Sequence, residues 1–346
     1  MNPLSVWILL GVHILTSDKL TSNLAGKDLV NPNIVTIGGG TGLSNLLMGL
    51  KYWTNNLTAI VTVTDDGGSS GKLRNDLGIP PPGDARNCLT ALSPDTFTKH
   101  LFQHQFDQGT SLSGHRLGNL ILAAIQQNTG DFEKSLDIAA KLLGSTGSVL
   151  PVSNRNDIVL MGRTLSGDIL AGESMVGHSS KKLRDVWIEP DSAEASASVL
   201  AAIEDADLLI FGPGSLYTSV IPNFLFRGMG TTIAKSKAPK LFVCNVATEI
   251  YETDGLSAND HVRIFQTITS VGSTHVIFNS NCKDIPEKVG QQCIYPEAYM
   301  DESSITILLK DVIDEENRVM HDANKLAREI MEITFSCDTS AFGSKP

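Results

Sequence analysis

Three consecutive glycines and a fourth one residue further on, Gly38-Gly39-Gly40-Thr41-Gly42, directly follow the β-branched run 33–37 (NIVTI). Leu43, Leu46, Leu47 and Leu50 then recur at helical spacing, which makes the glycines a strand-to-helix turn. A helix N-terminus carries partial positive charge and unpaired N–H donors. Residues without a Cβ let a diphosphate reach those amides. Gly38 and Gly40 fit the G-x-G of the dinucleotide fingerprint, but its third glycine would fall at Leu43. The turn reads first as a diphosphate cradle, with a tight ligand-free turn as the plain alternative.

Asp65 and Asp66 follow the second apolar run, 57–63 (LTAIVTV). In nucleotide-binding sheets an acid about 20 residues past the glycine turn, on the neighbouring strand, bonds ribose hydroxyls. Paired carboxylates also suit a hard cation such as magnesium, and either residue can cap a helix. A sugar or substrate hydroxyl ranks first and a metal second. Gly212-Pro213-Gly214-Ser215 follows the run 208–211, and Thr248 and Glu249 end the run 240–245. In an open parallel sheet, loops at the carboxyl ends of strands meet in one crevice. The four segments therefore converge on a nucleotide-like ligand. His115 and Asn119, four apart on an apolar helix, need polar partners, either internal or on a ligand.

Three motifs are weaker. Gly67-x-Ser69-x-Gly71 matches a nucleophile elbow, but spacing places no histidine or acid near Ser69. Gly71-Lys72 looks like the end of a phosphate loop, yet Leu73 stands where Ser or Thr must bind magnesium. His100 and His104 lie at i, i+4, but Leu101 replaces the glutamate of a metalloprotease helix, so they read as surface histidines.

These groups must be held by a mostly parallel, Rossmann-like α/β sheet flanked by helices. The unit 33–63 is a βαβ with a right-handed crossover. Asp84 after Pro80-Pro81-Pro82-Gly83 is read as an N-cap, with Ala85, Cys88, Leu89 and Leu92 on the buried face. A helix from about His115 turns Leu117, Leu120, Ile121, Ala124 and Ile125 inward. Residues 148–190 read as an antiparallel β insertion with a hairpin at Ser166-Gly167-Asp168. Ser257 caps a helix, strands follow at 275–278 and 305–309, and Asp322 caps a closing helix to about Ile333. The domain spans 32–335, between an extension (1–31) and a mobile tail (336–346).

The length of 346 residues suits two domains or one large α/β unit with an insertion. A hydrophobic share of 41% supplies a sizeable core, and a net charge of -11 argues against non-specific nucleic-acid binding. It leaves anionic ligands open, because backbone amides bind phosphate without basic side chains. Five cysteines without C-x-x-C read as scattered free thiols, as in a reducing, cytoplasmic setting. The apolar stretch 3–15 is too short to span a bilayer and lacks the basic start of a secretory signal, leaving membrane association as the minor reading.

With those residues in view, the chain resembles the gluconeogenesis factor family (YvcK-like), of the superfamily shared with 2-phospho-L-lactate transferase (CofD-like). The resemblance is carried by IGGGTGLSNLL from Ile37, VTVTDDGGSSGKLR from Val61, PPPGDARNCLTALS from Pro80, GHRLGNLILAA from Gly114, ADLLIFGPGSLYTSVIPN from Ala206 and ETDGLSANDHV from Glu252. It runs from about Asn33 to Asn281 and weakly to the closing helix. It implies a Rossmann-like protein that binds UDP-sugars, UDP-N-acetylglucosamine or UDP-glucose in type. It also implies links to gluconeogenic carbon use, cell shape and cell-wall synthesis. Gly38 to Gly42 and Gly212, Gly214 and Ser215 would touch the diphosphate, with Asp65, Asp66 and Asn119 around the ligand. The transferase branch moves phospholactate from a guanosine-linked donor onto a deazaflavin, with magnesium; the DDGGSSGKLR block looks like the gluconeogenesis-factor branch. The sequence departs from the family at 246–250 (VATEI), where an NLMTQ-like strand end is expected, and at Arg116, where a small polar residue is expected. A non-catalytic regulator is the leading reading and the transferase the rival, with a nicotinamide dehydrogenase third. Buried apolar strands are compatible with a homodimer, and the resemblance is compatible with a cell-wall synthesis partner.

Overall fold

The computed structural model describes residues 31–109, 111–282, 290–296 and 305–341, with side chains to 332. The apolar stretch 3–15 and the last five residues lie outside the described residues. The strands are β1 (Ile34–Gly38), β2 (Leu57–Val61), β3 (Ser148–Pro151), β4 (Val159–Thr164), β5 (Ile169–Ala171), β6 (Leu183–Glu189), β7 (Leu208–Phe211), β8 (Lys240–Val243), β9 (His275–Asn279) and β10 (Thr306–Lys310). The helices are α1 (Gly40–Leu50), α2 (Gly68–Leu77), α3 (Gly83–Leu92), α4 (Phe97–Gln103), α5 (Leu117–Thr129), α6 (Phe132–Leu143), α7 (Glu173–Gly177), α8 (Ala197–Glu204), α9 (Met229–Lys235), α10 (Ala258–Thr269) and α11 (Ala323–Ala341).

Seven strands form one sheet in the order β3-β2-β1-β7-β8-β9-β10, every pairing parallel. Parallel strands covered on both faces must be apolar almost throughout, and β1 and β7 are buried at every position. Leu43, Leu46 and Leu50 of α1 pack on one face with Cys88 and Leu92 of α3, Phe132 of α6 and Leu326 and Ile330 of α11. The other face packs on α8, α9, α10 and a second sheet, antiparallel in the order β5-β4-β6. Edge-to-face rings of Phe211 and Phe224 (5.0 Å) and of Phe224 and Phe265 (4.9 Å) fill its middle. The strand order reverses between β1 and β7, and such a switch point opens a crevice at the carboxyl ends of the strands.

Several expectations are corrected. β3 joins the parallel sheet beside β2, so the antiparallel unit starts at β4 rather than at residue 148. Asp84 does not cap α3: Pro82 holds the cap position, and Asp84 sits in the first turn with its carboxyl turned to Gly40. On α5 the buried face is Gly118, Asn119, Leu122 and Ala123, whereas Ala124 is exposed, because the helix begins at Leu117 and the stripe is rotated by about one residue. The closing helix continues to Ala341, so the segment expected to be a mobile tail from 336 is helical for its first part. Cys282 and Cys293 form a disulfide with Cα atoms 5.7 Å apart, so these two thiols are not free. Cys293 is brought there by an antiparallel bridge to Ala247. The caps at Ser257 and Asp322 hold as expected. Among the described residues no helix is long and apolar enough to cross a membrane.

Candidate functional site

The two glycine loops lie against each other across the switch point. A Cβ on Gly42 would stand 2.9 Å from Gly214 N and from the Pro213 carbonyl, and one on Gly214 would stand 3.1 Å from Gly39 O. Gly40 adopts φ +64°, a left-handed conformation that favours glycine. Asn223 donates to Gly38 O (3.0 Å) and anchors the β1 end to the segment after the second loop. Between the loops opens a crevice of about 340 Å³. Gly40, Thr41, Gly42 and Asn45 line one side, Gly214, Ser215 and Ser219 the other, and Asn245, Ala247, Glu249 and Gln291 the β8 end. Val319, Met320 and His321, just before α11, form a further wall. Gly38, Gly39 and Gly212 support the loops from below and do not line the crevice.

The β8 end is built by reciprocal bonds. Asn245 accepts from Gly214 N (3.2 Å) and donates to Gly214 O (3.0 Å), which fixes the second loop to the strand. Ser215 donates to Glu249, and Asn245 donates to its other oxygen at 3.3 Å. Behind it, Glu252 accepts from the amides of Tyr217 (2.6 Å) and Thr218 (3.2 Å). Burial raises Glu252 well above the carboxylate range, with the Glu249 charge adding to the shift; burial raises Glu249 as well, opposed there by the bonds from Ser215 and Glu252. Thr248 is buried: its hydroxyl accepts from Gln292 N (2.9 Å) and its carbonyl from Gln291 (2.7 Å). It therefore positions Gln291 and does not face the crevice.

Asp65, Asp66 and Asn119 form a second cluster at the end of β2. Asp65 accepts from Gly67 N (2.9 Å); Asp66 accepts from Ser174 N (2.9 Å) and the Ser174 hydroxyl (2.6 Å). Asp66 thus caps the first turn of α7, the plain alternative for it, whereas Asp65 closes a local turn onto Gly67, just before α2. Ser69 joins His115 Nδ1 (3.0 Å) to Asn119 Nδ2 (3.0 Å), so a histidine does stand beside Ser69 although spacing gave no hint of it. Glu173 lies among Asp65, Asp66 and Asp84, and burial with those charges pushes it up to about 8. Asp84 links the clusters by accepting from Gly40 N; burial and the Asp65 charge push it up to about 7. Beside it, burial and the Arg116 charge lower Arg86 to about 10. Among the described residues no three His, Cys, Asp or Glu side chains are grouped to hold a metal ion. His100 and His104 are surface residues, His100 near Asp95 (3.4 Å) and His104 against Phe106.

Sequence reasoning missed Asn245, Gln291 and the 319–321 wall. They reach the crevice through long-range returns of the chain, which local periodicity does not encode. Asn245 alone carried a signal, a polar residue ending a buried strand beside a glycine loop.

The fold and the loops define a Rossmann-like α/β protein with a ligand crevice at its switch point. Residues 34–335 match the family model described as 2-phospho-L-lactate transferase CofD. The chain is 42% identical over 310 residues to the gluconeogenesis factor of Halalkalibacterium halodurans, covering 87% of this chain and 96% of that protein. It is 39% identical over 312 residues to that of Bacillus subtilis, covering 87% and 98%. A crystal structure of a UPF0052 family member from Bacillus halodurans superposes with a TM-score of 0.83 at 39% identity, covering 88% of this chain and all of that one. The chain belongs to the CofD family, and within it to the gluconeogenesis factors.

Proposed function

We propose that the protein binds a nucleotide-sugar of the UDP-N-acetylglucosamine or UDP-glucose type in the switch-point crevice. It acts there as a regulator linked to gluconeogenic carbon use, cell shape and cell-wall synthesis rather than as an enzyme. The observation that carries the reading is the contact of the two glycine loops around a crevice of about 340 Å³, with glycines and small polar residues on both walls. Such a site meets a diphosphate by main-chain donors. The name gluconeogenesis factor borne by the relatives supports the link to gluconeogenic growth. Homodimerisation and a cell-wall synthesis partner belong to the same proposal. Titration calorimetry with UDP-N-acetylglucosamine tests it: saturable heat is expected, and none at millimolar ligand rejects it.

The second reading is a phospholactate-type transferase, favoured by the description of the matching family model. There Asp65 and Asp66 would hold magnesium, and catalysis would be alignment and charge neutralisation. Magnesium-dependent turnover of a nucleotide-diphospholactate donor, lost in Asp66→Asn while binding persists, would select this reading.

A further inference from the structure

Glu249 is the only carboxylate among the described residues that line the crevice, and no Lys or Arg lines it. His321, the other titratable lining group, is held neutral because burial lowers it to about 4. The carboxylate is fixed rather than mobile: Ser215 and Asn245 donate to its two oxygens, and Glu252 bonds it from the interior. A carboxylate has about four acceptor positions, so three donors leave room for another.

We propose that Glu249 decides which part of the ligand lies at the Ser215 end of the crevice, accepting hydrogen bonds from sugar-ring hydroxyls and excluding phosphate. The diphosphate is thereby confined to the Gly40–Gly42 side, where Gly40, Thr41, Gly42 and Asn45 are the lining residues and no acid is among them. This rests on the nucleotide-sugar reading of the crevice. It reassigns hydroxyl recognition from Asp65 and Asp66, which stand outside the crevice, to an acid on the far side of the switch point. The hydroxyls could belong to ribose or to the hexose; the chemistry is the same.

The test is calorimetric titration of the full chain and of Glu249→Ala and Glu249→Gln, each checked by thermal melting, with UDP-glucose, UDP and inorganic pyrophosphate. A hydroxyl-reading carboxylate predicts opposite signs. Glu249→Ala weakens UDP-glucose by about tenfold, the usual size of one charge-assisted hydrogen bond, and leaves pyrophosphate unchanged or tighter. Glu249→Gln, which keeps one acceptor and removes the charge, weakens UDP-glucose less and still does not weaken pyrophosphate. If UDP weakens in step with UDP-glucose, the hydroxyls are those of ribose; if UDP is unaffected, they are those of the hexose. A parallel loss for UDP-glucose and pyrophosphate, or no change for any ligand, overturns the inference while leaving the nucleotide site standing. Absence of binding by the unaltered chain overturns both.

Discussion

Asp84 shows how one carboxyl couples the two halves of the site. It is half-buried, accepts from Gly40 N, and holds its proton to about pH 7 instead of 3.8. Because the folded form binds a proton that the unfolded chain releases near pH 3.8, stability is greatest below that value and falls as pH rises towards 7. The full loss is on the order of 4 kcal/mol. Asp84→Asn keeps an acceptor for Gly40 and removes the charge. Melting curves at several pH values should show a flatter dependence between pH 4 and 7 for the variant and a higher melting temperature at pH 8. An unaltered slope would exclude Asp84 as the titrating group. Gly42 tests the loops themselves. An added methyl meets backbone 2.9 Å away on the other loop, where nothing flexible can yield. Gly42→Ala should cost about 1–3 kcal/mol of stability and at least tenfold in UDP-sugar affinity, read by melting and calorimetry. Normal affinity would mean that the loops need not touch.

At the scale of elements, α1 carries the Gly40–Gly42 turn, and its other end is pinned by α11. A Cβ on Gly49 would lie 2.0 Å from Ala323 O, so the two helices approach as closely as glycine allows. Gly49→Ala must push them apart, and denaturant unfolding should show a loss of about 1–3 kcal/mol; an unchanged midpoint would contradict this packing. The same elements show what was readable from sequence. β1, β2, β7 and β8 were legible because strands buried on both faces are short unbroken apolar runs bounded by glycine or acid. The turns after β1 and β7 were legible because glycine clusters have few other uses there. β3 was misassigned because four residues ahead of a true antiparallel unit do not reveal which sheet they join. The α5 stripe slipped because His115, placed on the helix, belongs to the turn before it. Capping was one of the readings open for Asp66, but its partner was not visible, since Ser174 lies in the distant antiparallel unit. Glu249 was legible as the end of the β8 run, whereas Gln291 took its position only from the closing of the chain around β8.

The whole molecule sets the field that a ligand meets. A net charge of -11 repels an anionic diphosphate at long range. Within the crevice, the described lining offers no Lys or Arg to reverse that repulsion, and Glu249 adds to it. Attraction must come from short-range amide dipoles and hydrogen bonds, which salt screens little, whereas the long-range repulsion is screened over about 10 Å at 0.1 M ionic strength. The affinity for UDP-N-acetylglucosamine should therefore rise, or at least hold, when sodium chloride is increased from about 10 to 200 mM, a range across which the screening length shrinks severalfold. A phosphate site lined by lysine and arginine responds in the opposite direction. Titrations across that range at constant pH decide between the two. A steep fall in affinity with salt would place basic side chains against the diphosphate and move it away from the glycine amides, whereas a flat or rising profile fits a cradle made of main chain in an acidic protein.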